Sequence, residues 1–207
     1  AIDNIGENGI FGSSQYNTID VQDMGFGAIF FYDWNDIGQE WVRREEWISG
    51  THGSLSLLNY WESESRGGHW FEFGNSISLS GDGRYLAVGC PGFSVTDLSD
   101  PYASRSQYQS EIGMVQVFRK NPDVNNGWEL IEEDVPYNSP NNYSFGGFRL
   151  GSSVSFSSDG KYLAVGEEGY KSNNQNNQYP IANEREGQVR IYKDLHAHRI
   201  ITKPIDQ

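Results

Sequence analysis

The chain has 207 residues, and its 28 acidic and 15 basic residues, scattered along the chain, give a net charge of −13. This charge argues against nucleic acid and anionic membranes as partners, because both need a positive protein surface, and no run approaches the roughly 20 apolar residues of a membrane helix. The 24 glycines, 14% aromatic residues and only 36% hydrophobic residues are typical of short strands joined by polar turns, so we expect an all-β protein.

The first element in chain order is Gly-Ala-Ile-Phe-Phe-Tyr at residues 27–32, which leads through a polar turn into a strand headed by Trp41. The same unit recurs at residues 113–118, followed by a strand headed by Trp128, and a third time at residues 187–192. The β-branched and aromatic residues predict a strand in each copy. The first two copies are thus predicted to be pairs of antiparallel strands.

A second repeated element precedes two of these copies, because residues 74–89 align without a gap with residues 151–166 at an offset of 77 residues. In each copy apolar residues alternate with Ser, an Asp-Gly turn follows, and Tyr-Leu-Ala-Val returns as a buried strand. Asp-Gly between two strand patterns is a strong hairpin signal. We therefore predict the same hairpin twice, with the same inward-facing side chains.

Together the two elements make a unit of four short antiparallel strands that repeats at a fixed period, as the blades of a β-propeller do. The chain is out of phase with this unit. Residues 1–48 are predicted to hold strands three and four of one blade, residues 49–135 a complete blade with long inserted loops, and residues 136–207 strands one to three of another blade and a tail. The sequence thus predicts a partial propeller of about two to three blades.

The order of the motifs resembles that of a known family. Phe73-Gly74 precedes a Ser-rich strand, an Asp-Gly turn, Leu-Ala-Val-Gly-Cys-Pro and then Gly-x-Val-x-Val-Phe. This order is similar to the FG-GAP repeats of integrin α-subunit propellers, and most of all to their metal-free relatives in large secreted proteins. The resemblance covers most of residues 25–194 and implies a secreted or cell-surface module that is not an enzyme.

The second copy departs from this family pattern. Leu150-Gly151 stands in place of Phe-Gly, and Glu167-Glu168 stands where Ala-Pro is expected. WD40 propellers are a competing family, because residues 156–166 would fit one of their blades. The chain contains no Trp-Asp dipeptide, however, and it inserts long loops where WD40 blades are tight.

Integrin-type repeats often carry a calcium loop between two strands, in which several carboxylates surround the ion. Overlaying that loop gives as ligand positions Ser78, Ser80, Asp82 and Leu86 in one copy and Ser155, Ser157, Asp159 and Leu163 in the other. One carboxylate in each copy is too few to hold calcium, so we interpret both Asp-Gly pairs as turns and expect no cofactor. The polar segment at residues 121–129 is a second calcium candidate, and here too a turn is favoured.

Other chemistry-bearing residues give weak signals. Cys90 ends an apolar strand pattern and is expected in the core, and the His196 and His198 pair lacks a third metal ligand nearby. No catalytic triad or phosphate-binding loop is present, and carboxylates are too abundant for a pair of them to indicate a hydrolase. Asn142 begins a glycosylation sequon.

Four long segments are predicted to leave the blades on one face, at residues 49–72, 91–112, 136–149 and 167–186. Insertions of repeat proteins tend to lie on the binding face, and Tyr and Trp are frequent interface anchors. The candidate partner-binding residues in these segments are Trp61, Trp70, Tyr102, Tyr108, Tyr143, Tyr170 and Tyr179, with carboxylates that include Glu167. Alternatively, these side chains pack the loops upon themselves.

The sequence therefore predicts a non-catalytic extracellular module that binds another protein or further copies or segments of its own kind. A carbohydrate-binding propeller, with Trp61, Trp70 or Tyr108 stacking on sugars, is the alternative, and a propeller-fold hydrolase ranks third. The absence of an initial Met suggests a processed product or a fragment. Since a ring needs at least about four blades, we expect the outer faces of the end blades to lack a neighbour, at residues Ile29, Phe31, Val189 and Ile191.

Overall fold

The computed structural model describes residues 8–13, 27–49, 72–93, 111–124, 127–134, 147–169 and 187–193. These residues form ten strands in three separate antiparallel sheets, and no helix occurs among them. Strands that are neighbours in a sheet are also neighbours in sequence. The predicted all-β class is therefore confirmed, and each sheet corresponds to one blade.

The first blade contains β1 (Asn8–Ser13), β2 (Ala28–Asn35) and β3 (Glu40–Ser49) in that order. Strands β2 and β3 were expected, whereas β1 was not. Gly12 of β1 pairs with residue 29, just as Gly89 pairs with residue 115 in the second blade. The additional strand is therefore the second strand of its blade, and the first blade has one strand more than the sequence predicted.

The second blade is complete, with β4 (Ser76–Leu79), β5 (Tyr85–Cys90), β6 (Met114–Lys120) and β7 (Trp128–Asp134) hydrogen-bonded in sequence order. All four strands lie where the sequence placed them. Strand β5 is buried along its whole length, as its run of apolar residues predicts. Cys90 at its end is fully buried, which confirms its place in the core.

The third blade contains β8 (Leu150–Phe156), β9 (Tyr162–Glu167) and β10 (Gln188–Lys193). Its hairpin has the register of the hairpin in the second blade, because residue 154 pairs with residue 165 as residue 77 pairs with residue 88. The prediction of two equivalent hairpins is confirmed in register. The prediction that residues 162–165 return as a buried strand is wrong in part, because β9 is buried only at alternate residues and Tyr162 is exposed. The only difference between their pairings is an irregularity in β8 between Leu150 and Ser153.

One apolar core lies between the first and second blades, and a second core lies between the second and third. The first core includes Ile29, Phe31 and Ile48 beside residues of β5 and β6, and all three are buried. The expectation that Ile29 and Phe31 lack a neighbour is therefore wrong. Alternation along β2 turns these two side chains towards the second blade, and it turns Phe30 and Tyr32 to the opposite face.

The junctions between blades are formed by backbone atoms at glycines. Gly27 forms a parallel bridge with Phe73, and Gly113 forms the corresponding bridge with Leu150. A methyl group on Gly89 would overlap the carbonyl oxygen of Gly151 in the next blade. A methyl group on Gly12 would likewise overlap the carbonyl oxygen of Gly74. Glycine is thus required at these positions because the neighbouring backbone approaches too closely for any side chain.

Candidate functional site

The strand directions gather the long segments at one end of the blades. The two parallel bridges set the starts of the third strand of one blade and the first strand of the next side by side. Neighbouring strands are antiparallel, so the short turns lie at the other end. We call the end that holds the two parallel bridges the loop end. The segments that connect the strands there are residues 14–26, 50–71, 94–110, 135–146 and 170–186, which lie outside the described residues.

The candidate binding residues named from the sequence lie in those segments, outside the described residues. They are Trp61, Trp70, Tyr102, Tyr108, Tyr143, Tyr170 and Tyr179. The sequon residue Asn142 and the His196 and His198 pair also lie outside the described part of the chain. The described part of the site therefore consists of the segment stems, meaning the residues that begin and end each segment.

A single arginine joins the stems at the loop end. The Arg149 guanidinium forms ion pairs with Glu72 at 2.8 Å, with Glu111 at 3.2 Å and with Glu168. Its side chain is 21% exposed. Burial lowers the pKa of the guanidinium, but the three surrounding carboxylates outweigh burial and raise the pKa above its ordinary value. Arg149 is therefore held in its charged form at the junction of the second and third blades.

Each of the four charged residues stands at the stem of a different segment. Glu72 follows segment 50–71, Glu111 follows segment 94–110, Arg149 follows segment 135–146 and Glu168 precedes segment 170–186. Sequence reasoning missed this cluster. The signal was present in the repeat, because Glu72 and Arg149 occupy corresponding positions, 77 residues apart, with opposite charges.

The backbone at these stems is fixed by an unusual conformation and by the neighbouring blade. Glu72, Glu111 and Arg149 have φ angles of 57°, 54° and 55°, in the left-handed region that residues other than glycine rarely adopt. The Arg149 N–H donates to the Glu111 carbonyl at 2.9 Å, and the Leu150 N–H donates to the Ile112 carbonyl at 3.0 Å. A conformation of this kind persists only where the surrounding contacts determine it.

Glu167, which the sequence analysis counted among the loop carboxylates, is not available to a partner. Its side chain is 1% exposed and forms an ion pair with Arg190 at 2.9 Å. Gln188 donates a further hydrogen bond to the same carboxylate oxygen. Cys90 is the residue of the second blade that corresponds to Glu167. The departure from the family pattern at residue 167 is thus accommodated by a paired charge in the core.

The Asp-Gly turns are closed by their own side chains. In the first turn, the Ser80 hydroxyl donates to Asp82 Oδ1 at 2.7 Å, and the Arg84 N–H donates to the same oxygen at 3.1 Å. Burial raises the pKa of Asp82. The two hydrogen bonds and the Arg84 charge together outweigh burial, so the pKa lies below its ordinary value. The second turn has the same bonds, and they lower the pKa of Asp159.

We expect EDTA to leave the melting temperature of the protein unchanged, because Asp82 and Asp159 each use an oxygen to close a turn and no second carboxylate stands in either loop. Thermal unfolding with EDTA and with added calcium is the measurement, with the Asp82→Ala variant beside the wild type. A fall in melting temperature that calcium reverses, and that Asp82→Ala abolishes, would contradict this expectation.

The other calcium candidate also has the contacts of a turn. Asn121 Oδ1 accepts a hydrogen bond from the Asp123 N–H at 3.0 Å, and Asn121 Nδ2 donates to Glu129. Within the described residues, no three side chains of His, Cys, Asp or Glu are grouped as metal ligands. Nor does that part of the chain include a helix long and apolar enough to cross a membrane.

Three stacked antiparallel sheets with equivalent junctions define the chain as a partial β-propeller. No family model and no curated protein matches the chain. Among solved structures, it is similar to the β-propeller domain of Myceliophteria thermophila Cps50 (Swd1), at 13% identity and a TM-score of 0.34, over 100% of this chain and 55% of the other.

Two further solved structures are similar to the chain. Kuenenia stuttgartiensis hydrazine synthase is 15% identical over 81% of this chain and 36% of its own, with a TM-score of 0.43. A hypothetical selenium-binding protein from Sulfolobus tokodaii is 14% identical over 92% of this chain and 36% of its own, also with a TM-score of 0.43. The chain thus spans only about a third to a half of the proteins that it matches.

Proposed function

We propose that this chain is a non-catalytic extracellular module of the FG-GAP type whose loop end binds another protein, a second copy of the chain included. The observation that carries the proposal is the cluster around Arg149, which brings the stems of four long segments to one place. All seven aromatic candidates lie in those four segments. The FG-GAP assignment and the extracellular location rest on the order of motifs in the repeat.

The composition of the four segments suits a protein partner. Tyr and Trp side chains bury a large area at a low cost in conformational entropy and keep a polar tip for hydrogen bonding. Stems fixed by ion pairs and by the neighbouring backbone lower the entropy that binding must overcome. Because three carboxylates surround one guanidinium, the loop end is negative near the cluster and favours a partner with basic or neutral groups there.

Sedimentation velocity of the full chain over a range of micromolar concentrations tests the proposal, with the chain itself as the probe. We expect concentration-dependent association that disappears when Tyr102 and Tyr108 are both changed to Ser, because those substitutions remove two anchors of one segment. Ile37→Ser is the matched control. Ile37 is an apolar residue, 99% exposed, in a short turn at the opposite end of the blades, and its loss should leave association unchanged.

A glycan array separates this proposal from the carbohydrate-binding alternative. Binding to defined glycans that Trp61→Ala or Trp70→Ala abolishes would replace the protein-binding proposal by a lectin function. A chain that stays monomeric at every concentration would overturn self-association through the loop end. Equal association of the Tyr102 and Tyr108 double variant and the wild type would overturn the role of the segment that carries them.

A further inference from the structure

The third blade presents a face that no described residue covers, although its counterpart in the second blade is covered. Val189, Tyr162 and Ser153 point to this face and are exposed, the first two at 46% and 44%. Their counterparts in the second blade are Val115, Tyr85 and Ser76. Val115 and Tyr85 are only 2% and 8% exposed, because the third blade packs on them.

The counterpart in the second blade shows what this face is built to hold. There, the Ser76 hydroxyl donates to the Gly151 carbonyl at 2.7 Å, and the Phe156 N–H donates to the Ser78 hydroxyl at 2.8 Å. Both partners belong to β8, the first strand of the next blade. Two serines two residues apart thus bind the backbone of an incoming first strand.

The same two serines are present and exposed in the third blade, where Ser153 and Ser155 correspond to Ser76 and Ser78. The glycine positions are also kept. Gly166 corresponds to Gly89, which lies against the carbonyl of the next blade, yet the nearest atoms to a methyl group on Gly166 belong to the serines of its own blade. Among the described residues, the third blade therefore keeps the two serines, the glycine, the tyrosine and the valine that form this junction in the second blade.

We propose that this face, defined by Ser153, Ser155, Tyr162, Gly166 and Val189, binds the first strand of a further blade of the same repeat. The expected occupant begins with a buried apolar residue and a left-handed glycine, as Leu150 and Gly151 do in β8. A second copy of this chain does not supply such a strand in free form. Its β4 and β8 are already packed within its own blades, and its first blade has no described first strand. The face is separate from the loop end.

Thiol labelling of a Val189→Cys variant tests the proposal. Cys90 contributes no background, because it is fully buried and burial, with Glu133 nearby, raises the pKa of its thiol well above the ordinary value. The variant is compared as the full chain and as the full chain extended, through a Gly/Ser linker, by a copy of residues 136–193. We expect the extension to slow labelling of the introduced thiol by about tenfold or more, since docking buries the side chain at that position.

Gly166→Ala is the matched substitution. In the extended chain it should restore fast labelling, because the methyl group occupies the place of the incoming carbonyl oxygen, as it would at Gly89. In the chain without the extension it should change neither labelling nor melting temperature, since only the hydroxyl groups of Ser153 and Ser152 have to move. Labelling that the extension does not slow, or slow labelling that Gly166→Ala does not relieve, would overturn the proposal. Protection of the chain without the extension that grows with concentration would also overturn it, because a second copy would then be the occupant.

Discussion

Replacing Phe118 by Ala should lower the free energy of unfolding by about 4 kcal/mol, the usual cost of removing a buried ring. Phe118 is fully buried between the first and second blades, and its ring lies edge-on to Phe73 with centroids 6.5 Å apart. The surrounding strands are held by their ladders and cannot close the resulting cavity. Urea unfolding of the two proteins measures the loss, which should appear as a lower midpoint at an unchanged slope.

The matched control is Tyr32→Ala, because Tyr32 holds the corresponding position in the first blade. Tyr32 lies on the face of β2 opposite the first core and is half-buried. Its ring lies edge-on to the Phe11 ring, with centroids 5.0 Å apart. Its loss should cost about 2 kcal/mol, because a half-buried ring loses only part of the full burial energy together with one aromatic pair. Equal losses at the two positions would show that both faces of the first blade are covered to the same extent.

Replacing Glu167 by Ala should cost about 3–5 kcal/mol, the range observed when one partner of a buried ion pair is removed. The reason is that Arg190, whose side chain is 18% exposed, would keep its charge without the carboxylate that it binds at 2.9 Å. Urea unfolding at neutral pH is the measurement. A loss below about 1 kcal/mol, as exposed pairs give, would mean that water reaches Arg190 freely.

The double variant Glu167→Met with Arg190→Leu separates the charge from the packing. Apolar residues that fill the site leave no unpaired charge, so the double variant should be clearly more stable than Glu167→Ala. In the second blade this site holds no ion pair, since Cys90 stands in place of the carboxylate and the uncharged Gln116 stands in place of Arg190. A double variant as unstable as the single variant would show that shape, and not charge, dominates at this site.

The sequence predicted the hairpins well, because alternation, Asp-Gly turns and a gapless repeat all indicate the same local structure. Strand β1 was missed for the opposite reason. Residues 8–13 read Asn-Gly-Ile-Phe-Gly-Ser and lack the Leu-Ala-Val signature, and only Ile10 and Gly12 keep the buried and close-contact positions of a second strand. Pairing with β2 determines that strand, and a pattern of six residues does not reveal pairing.

The errors about individual side chains have a common physical cause. A period of two tells which residues share a face, but not which face meets a neighbour, so Ile29 and Phe31 were placed on the wrong side of the first blade. Glu167 looked like a loop carboxylate because its partner, Arg190, lies 23 residues further along the chain. The register of β9 with β10 brings the two together.

For the candidate site, the sequence located the segments but not the contacts of their stems. That four segments leave from one end follows from the alternating strand directions, which could be predicted. The ion pairs of Arg149 depend on how one blade packs on the next, and no pattern within a single blade specifies that packing. The repeat offset alone links Glu72 to Arg149.

The glycine junctions also bear on how such a protein can diverge. Besides the apolar cores, neighbouring blades contact each other through backbone atoms, at Gly27 with Phe73 and at Gly113 with Leu150. Mutations away from these glycines and from the apolar cores can therefore accumulate without changing the geometry that the neighbouring blades require. A gene duplication that inserts or exchanges a blade would preserve these contacts, provided that the glycines are kept. Selection on such a gene should thus act most strictly on a few residues without side chains.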